Sequence, residues 1–113
     1  MPSNREREWL EDILEAIQLI QKFVKGMELA DFQNDSKTQY AVVHALLIIS
    51  EASRRLSDAV KNKHPDIPWR DVANSGNIYR HEYHNVNDRM IWKTVADRLP
   101  PLRRAIKKEL DLD

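Results

Sequence analysis

Apolar residues recur along this chain at steps of three and four, and no stretch alternates at steps of two. The first stripe runs through Trp9, Leu10, Ile13, Leu14, Ile17, Ile20, Phe23 and Val24. An α-helix brings positions three and four apart onto one face, so this segment predicts an amphipathic helix of about five turns. Ser3 and Glu6 stand at capping-box spacing before it, and Gly26 offers the C-terminal cap. A polar connection, Met27 to Ser36, ends in Asp35 or Ser36 as the next cap. The second stripe, Tyr40, Val43, His44, Leu47, Ile48, Ala52 and Leu56, predicts a helix running to about Asn62.

Pro65 and Pro68 end that helix and prepare the next, with Asp66 as cap and Pro68 in the first turn, where a missing N–H is harmless. A third helix, Trp69 to about Tyr83, carries Val72, Ile78 and Tyr79 inward, with Gly76 as its weak point. Asn87 or Asp88 opens a fourth, whose apolar side is Met90, Ile91, Trp92, Val95 and Leu99. Pro100 and Pro101 are expected to break or kink it before Leu102, Ala105, Ile106 and Leu110 resume the stripe. The fold expected is all-α: an antiparallel four-helix bundle with a C-terminal helical extension, one domain over residues 1–113. Helices this amphipathic in so short a chain leave a face for a second copy, so a symmetric homodimer is expected.

Composition narrows the chemistry. The absence of cysteine excludes a disulfide scaffold, a thiolate metal site and a cysteine nucleophile, and two glycines leave no phosphate-cradling loop. Eighteen basic and eighteen acidic side chains cancel, which excludes coating of nucleic acid by bulk charge. The cancellation is uneven along the chain: residues 1–53 carry five Lys/Arg against nine Asp/Glu, and residues 54–113 carry thirteen against nine. The molecule is therefore polarised, either as solvated helix faces or as a basic end with a role. The N-terminus has no signal-peptide core and no apolar run reaches spanning length, so a cytoplasmic location away from the membrane is expected.

The chemistry-bearing window is Asn77-Ile78-Tyr79-Arg80-His81-Glu82-Tyr83-His84, which holds half of the four histidines. His81 and His84 stand at i, i+3, with Asn77 one turn before His81. One reading is RNA cleavage: histidine titrates near neutrality and exchanges protons with a ribose 2′-hydroxyl and a leaving oxygen, while an arginine holds the phosphate. Asn77 and Tyr83 would then orient the imidazole or donate to phosphate, and Glu82 and His84 would support the site. A second reading is a metal site, but HEYH is one residue short of HExxH and lacks a third ligand. A third is a polar helix end that only packs. His44 lies on the apolar stripe and is expected to be a core histidine, as Trp9, Trp69 and Trp92 are expected to be core residues. Glu51 is a candidate buried anchor for the histidine helix.

The chain resembles the HepT-like family of minimal HEPN-superfamily proteins along almost its whole length. The blocks that carry the resemblance are Leu10 to Ile17, Phe23 to Gly26, Gln39 to Val42, Ile49 to Ala52 and Pro68 to Val72. Asn77, His81 and Tyr83 follow, then Ile91 to Val95 and Leu99 to Leu102. The resemblance implies a helical dimer with paired sites in a cleft between protomers. It implies a metal-independent, cofactor-free endoribonuclease toxin acting on RNA. It also implies a minimal nucleotidyltransferase antitoxin that attaches AMP to a tyrosine. Carried over by residue, His81 matches the catalytic histidine, Tyr83 the modifiable tyrosine and Asn77 the asparagine after the family's arginine. That arginine, expected at position 74, 75 or 76, is replaced by Asn74, Ser75 or Gly76, and Arg80 is the candidate that restores the charge. The alternative is a catalytically degenerate binding module that keeps the nucleotidyltransferase partner.

Overall fold

The computed structural model describes residues 3–81 and 88–112, and the side chains of all of these but 77–81. Ser3 caps α1 (Asn4–Phe23), its hydroxyl accepting from the Glu6 amide at 3.1 Å. The other half of the expected capping box is diverted. The Glu6 carboxylate accepts from the Ser57 amide at 2.6 Å and from the Ser57 hydroxyl at 3.1 Å. Gly26 takes the positive φ (80°) that the glycine cap predicts.

The polar connection that follows contains a helix the pattern did not reveal, α2 (Leu29–Gln33), whose one buried residue is Phe32. A single apolar residue among polar neighbours has no periodicity to read. Asp35 caps α3 (Ser36–Arg54) through the Thr38 amide. The expected long second helix is in fact two. Ser57 starts a separate α4 (Asp58–Asn62), and its bonds to Glu6 hold that break in place. Because the end of α3 thereby meets the start of α1, the two helices run antiparallel.

The fifth element, α5 (Trp69–His81), begins one residue after Pro68, whose carbonyl accepts from the Val72 amide. Pro68 therefore occupies the cap position expected of Asp66, which is exposed. The Trp69 indole ties this start to the loop before it, donating to the carbonyls of Lys61 and His64 at 3.1 and 3.0 Å. Beyond the undescribed residues come α6 (Asp88–Lys93), a π-helical segment Thr94–Arg98, and α7 (Leu99–Glu109). The expected break at Pro100 and Pro101 does not occur. A proline ring crowds the carbonyl four residues earlier, here at Ala96 and Asp97, and both lie in the wider π turn that makes room for it.

Among the described residues the structure is all helix, a bundle in which α1 packs on α3 and α7 while α3 also packs on α5. Leu10, Ile13, Ile17 and Ile20 of α1, Val42 of α3 and Ile106 of α7 are fully enclosed. Phe32 closes one side against Trp92, ring centroids 5.3 Å apart. Trp9, Trp69 and Trp92 pack on this core while keeping an edge in solvent. His44 is a correction: it is exposed, in the row with Tyr40 and Ile48. The buried rows of α3 run instead through Val42, Val43, Ala45, Leu46 and Ile49. A helix apolar on nearly every side leaves its inward face ambiguous in sequence.

Candidate functional site on α5

The helix that carries Asn77, Arg80 and His81 is hydrogen-bonded to α3 through two side chains, Ser50 and Arg54. The Ser50 hydroxyl donates to the Ala73 carbonyl at 2.6 Å and accepts from the Gly76 amide at 3.0 Å. The Arg54 guanidinium adds a bond to the same Ala73 carbonyl at 3.1 Å. This approach is possible because position 76 has no Cβ. One built there would overlap the Ser50 hydroxyl and stand 2.9 Å from Ser50 Cβ. Gly76, read from sequence as the weak point of the helix, is its point of closest attachment. Ser50 is the neighbour of Glu51, the expected anchor, which lines a surface hollow with Trp9, His44 and Arg55.

Helical register sorts the candidate positions. Asn77 and His81 fall three and seven positions after Asn74, one stripe of the helix, and Arg70 stands on the same stripe further back. Arg70 and Asn74 are exposed, so the described start of this stripe faces solvent rather than α3. Arg80 instead falls four positions after Gly76, on a different stripe from His81. At 1.5 Å per residue, Asn74 lies about 10 Å and Arg70 about 16 Å along the axis from His81. Tyr83, Glu82 and His84, and the candidate cap Asn87, lie outside the described residues.

Beside Asn74 the structure forms a groove of about 330 Å³ between α5 and the π-helical segment. Leu46, Ile49 and Leu102 contribute apolar lining, and Asp71, Asn74, Ser75, Thr94 and Arg98 contribute polar groups. π-Helical turns recur at functional sites, and this one brings a guanidinium to the same groove as Asn74 and Ser75, two of the positions where the family's arginine is expected. Sequence reasoning missed both Ser50 and Arg98. Ser50 sits in an apolar run with nothing to mark it, and the π turn that positions Arg98 has no local sequence signature.

The arrangement offers amide, hydroxyl and guanidinium donors beside the Asp71 carboxylate along a slot with apolar sides. A match to the family described as Ribonuclease HepT-like spans residues 13–109. A protein of Thermococcus cleftensis named a probable ribonuclease HepT is 43% identical over 102 residues, 90% of this chain and 93% of that one. A protein of Caldanaerobacter subterraneus subsp. tengcongensis, provisionally named an RNase, is 36% identical over 104 residues, 92% of this chain and 93% of its own. One from Methanocaldococcus jannaschii, also provisionally named an RNase, is 32% identical over 99 residues, 88% and 91% of the two chains. No solved structure matches the chain.

Proposed function

The chain belongs to the HepT-like ribonuclease family, and on that premise we propose that it is a metal-independent endoribonuclease and the toxin of a toxin–antitoxin pair. The observation that carries this reading is the family match, which spans the whole of α5 with Asn77, Arg80 and His81 on it. In the proposed reaction His81 takes the proton of a ribose 2′-hydroxyl as its oxygen attacks the adjacent phosphorus. The bond to the 5′-oxygen breaks, that oxygen receives a proton, and a 2′,3′-cyclic phosphate remains. Arg80 holds the phosphate as charge develops, and Asn77 orients the imidazole. Because the attacking group belongs to the substrate, the step requires no metal-activated water.

The working unit is a homodimer with a site at the cleft. Leu19, Phe23, Tyr40 and Ile48, all exposed and all from α1 and α3, are apolar surface that a second copy would cover. A minimal nucleotidyltransferase is the antitoxin, with Tyr83 as the AMP acceptor and Glu82 and His84 as supporting residues. The protein acts in the cytoplasm, and no described helix is long and apolar enough to cross a membrane.

Substrate chemistry tests the reading. Replacing the ribose at the cleavage position by deoxyribose is expected to abolish cutting there, and His81→Ala to abolish both cutting and growth inhibition. Cleavage of the deoxy-substituted strand at the same bond would refute it. The degenerate binding module is favoured by one feature, the absence of arginine at 74–76. Gly76→Arg would force a side chain into Ser50 and unseat α5. The test is therefore Asn74→Arg, at an exposed position on the stripe of His81. Cleavage that arises only in this variant supports the degenerate reading.

A further inference from the structure

The face of α7 that looks away from the core is strongly basic. Arg103, Arg104, Lys107 and Lys108 occupy two adjacent rows, and with Gln21 and Pro100 they line a hollow of about 310 Å³. No acidic side chain contributes to that lining. Among the described residues none of the four cations has an ion-pair partner. The nearest acid along the helix, Glu109, is engaged by His64 and Lys63 on another side. The Nε of Arg103 is shut off from solvent without a hydrogen-bond partner. Asp111 takes positive φ (57°) and folds the chain back, so that the Leu112 amide donates to the Lys107 carbonyl at 2.8 Å and Leu112 closes the hollow's far end.

The hollow also lies in a useful place. Pro100 lines it, while Leu99 lines the groove beside Asn74 and Pro101 a neighbouring hollow with Arg98. The basic face and the α5 groove are thus separated by the first turn of α7.

We propose that Arg103, Arg104, Lys107 and Lys108 form a sequence-independent holding surface for the backbone of single-stranded RNA. This rests on the ribonuclease reading for its biological sense but not for its test, which measures binding alone. Four neutralised phosphates give log K a slope of about −2.8 against log salt, so binding weakens roughly 50-fold between about 50 and about 200 mM salt from these contacts.

The experiment uses full-length His81→Ala protein, a fluorescein-labelled single-stranded RNA of roughly 12 nucleotides, and anisotropy across that salt range. The comparison is the same protein carrying Arg103→Gln, Arg104→Gln, Lys107→Gln and Lys108→Gln, with circular dichroism to confirm its helices. The quadruple variant is expected to bind at least tenfold more weakly at low salt and to flatten the slope by about two to three units. Either pair of substitutions alone should give about half that change, which keeps the test informative if the quadruple variant fails to fold. An unchanged slope in the pairs overturns the proposal. Tighter binding of polyglutamate than of RNA by the parent protein also overturns it, by giving the face to an acidic protein partner. Salt-dependent RNA binding lost with the four charges, in a protein that never cuts RNA, would sustain this surface and refute only the ribonuclease reading.

Discussion

Gly76→Ala is the most exposing single change to the seat of the site, because two effects of opposite sign meet there. Alanine is favoured over glycine in a helix interior by about 1 kcal/mol, so an uncrowded position would gain stability. Here the new Cβ overlaps the Ser50 hydroxyl, stands 2.9 Å from Ser50 Cβ and reaches Leu47 Cδ2 at 3.8 Å. Overpacking of this kind costs about 1–3 kcal/mol. Displacing the hydroxyl also forfeits its bonds to Ala73 and Gly76, at about 1 kcal/mol each. Crowding wins, and the net expectation is a loss of about 2 kcal/mol, or a fall in Tm of roughly 10 °C. Urea denaturation should show a lower midpoint with an unchanged m-value. In the double variant with Ser50→Ala the overlapping oxygen is gone, so the two losses should fall short of their sum by about 1 kcal/mol. A Gly76→Ala protein as stable as the parent, or strict additivity with Ser50→Ala, would refute the close seating of α5 on α3.

Four further outcomes follow from contacts that hold the bundle in place. Glu6→Ala should cost about 2–3 kcal/mol by urea denaturation, since it removes the charged acceptor for both groups of Ser57. Glu109→Ala leaves His64 Nε2, now bonded at 2.8 Å and largely enclosed, without its acceptor, and should cost about 1–3 kcal/mol. Lys63→Ala, on the exposed side of the same carboxylate, should cost less than about 1 kcal/mol. The Thr38 amide, and then its hydroxyl, hold the Asp35 carboxyl below its ordinary 3.8. A lowered folded pKa adds stability that is complete above the unfolded value and is lost as pH falls through the folded one. Asp35→Asn should therefore flatten the stability–pH curve below about pH 4 and leave its shape unchanged near neutrality.

The stripes of α1, up to the exposed Phe23, and of α7 were legible, because each has one apolar face and one charged face. Where a helix is apolar on several sides the reading slipped, as at His44, since pattern alone does not say which row a neighbour covers. The break before Ser57 was hidden for a different reason: it depends on Glu6, fifty-one positions away in the chain, and no local signal reports that pairing. Pro100 and Pro101 carried a true local rule whose consequence was absorbed by a π turn just upstream. At the site, Asn77, Arg80 and His81 were readable as a cluster in sequence, and on α5 Asn77 and His81 share one stripe while Arg80 falls on another. Ser50, which gives that helix its place against Gly76, and Arg98, which shares a groove with Asn74, come from other elements and became visible only with the fold.

The proposed chemistry has His81 on α5 cutting RNA without a metal. Its decisive test incubates purified protein with a structured RNA in excess EDTA, beside an equally folded His81→Ala variant. Undiminished cleavage in EDTA and none from the variant are expected. Cleavage that EDTA abolishes, or that survives His81→Ala, would contradict it.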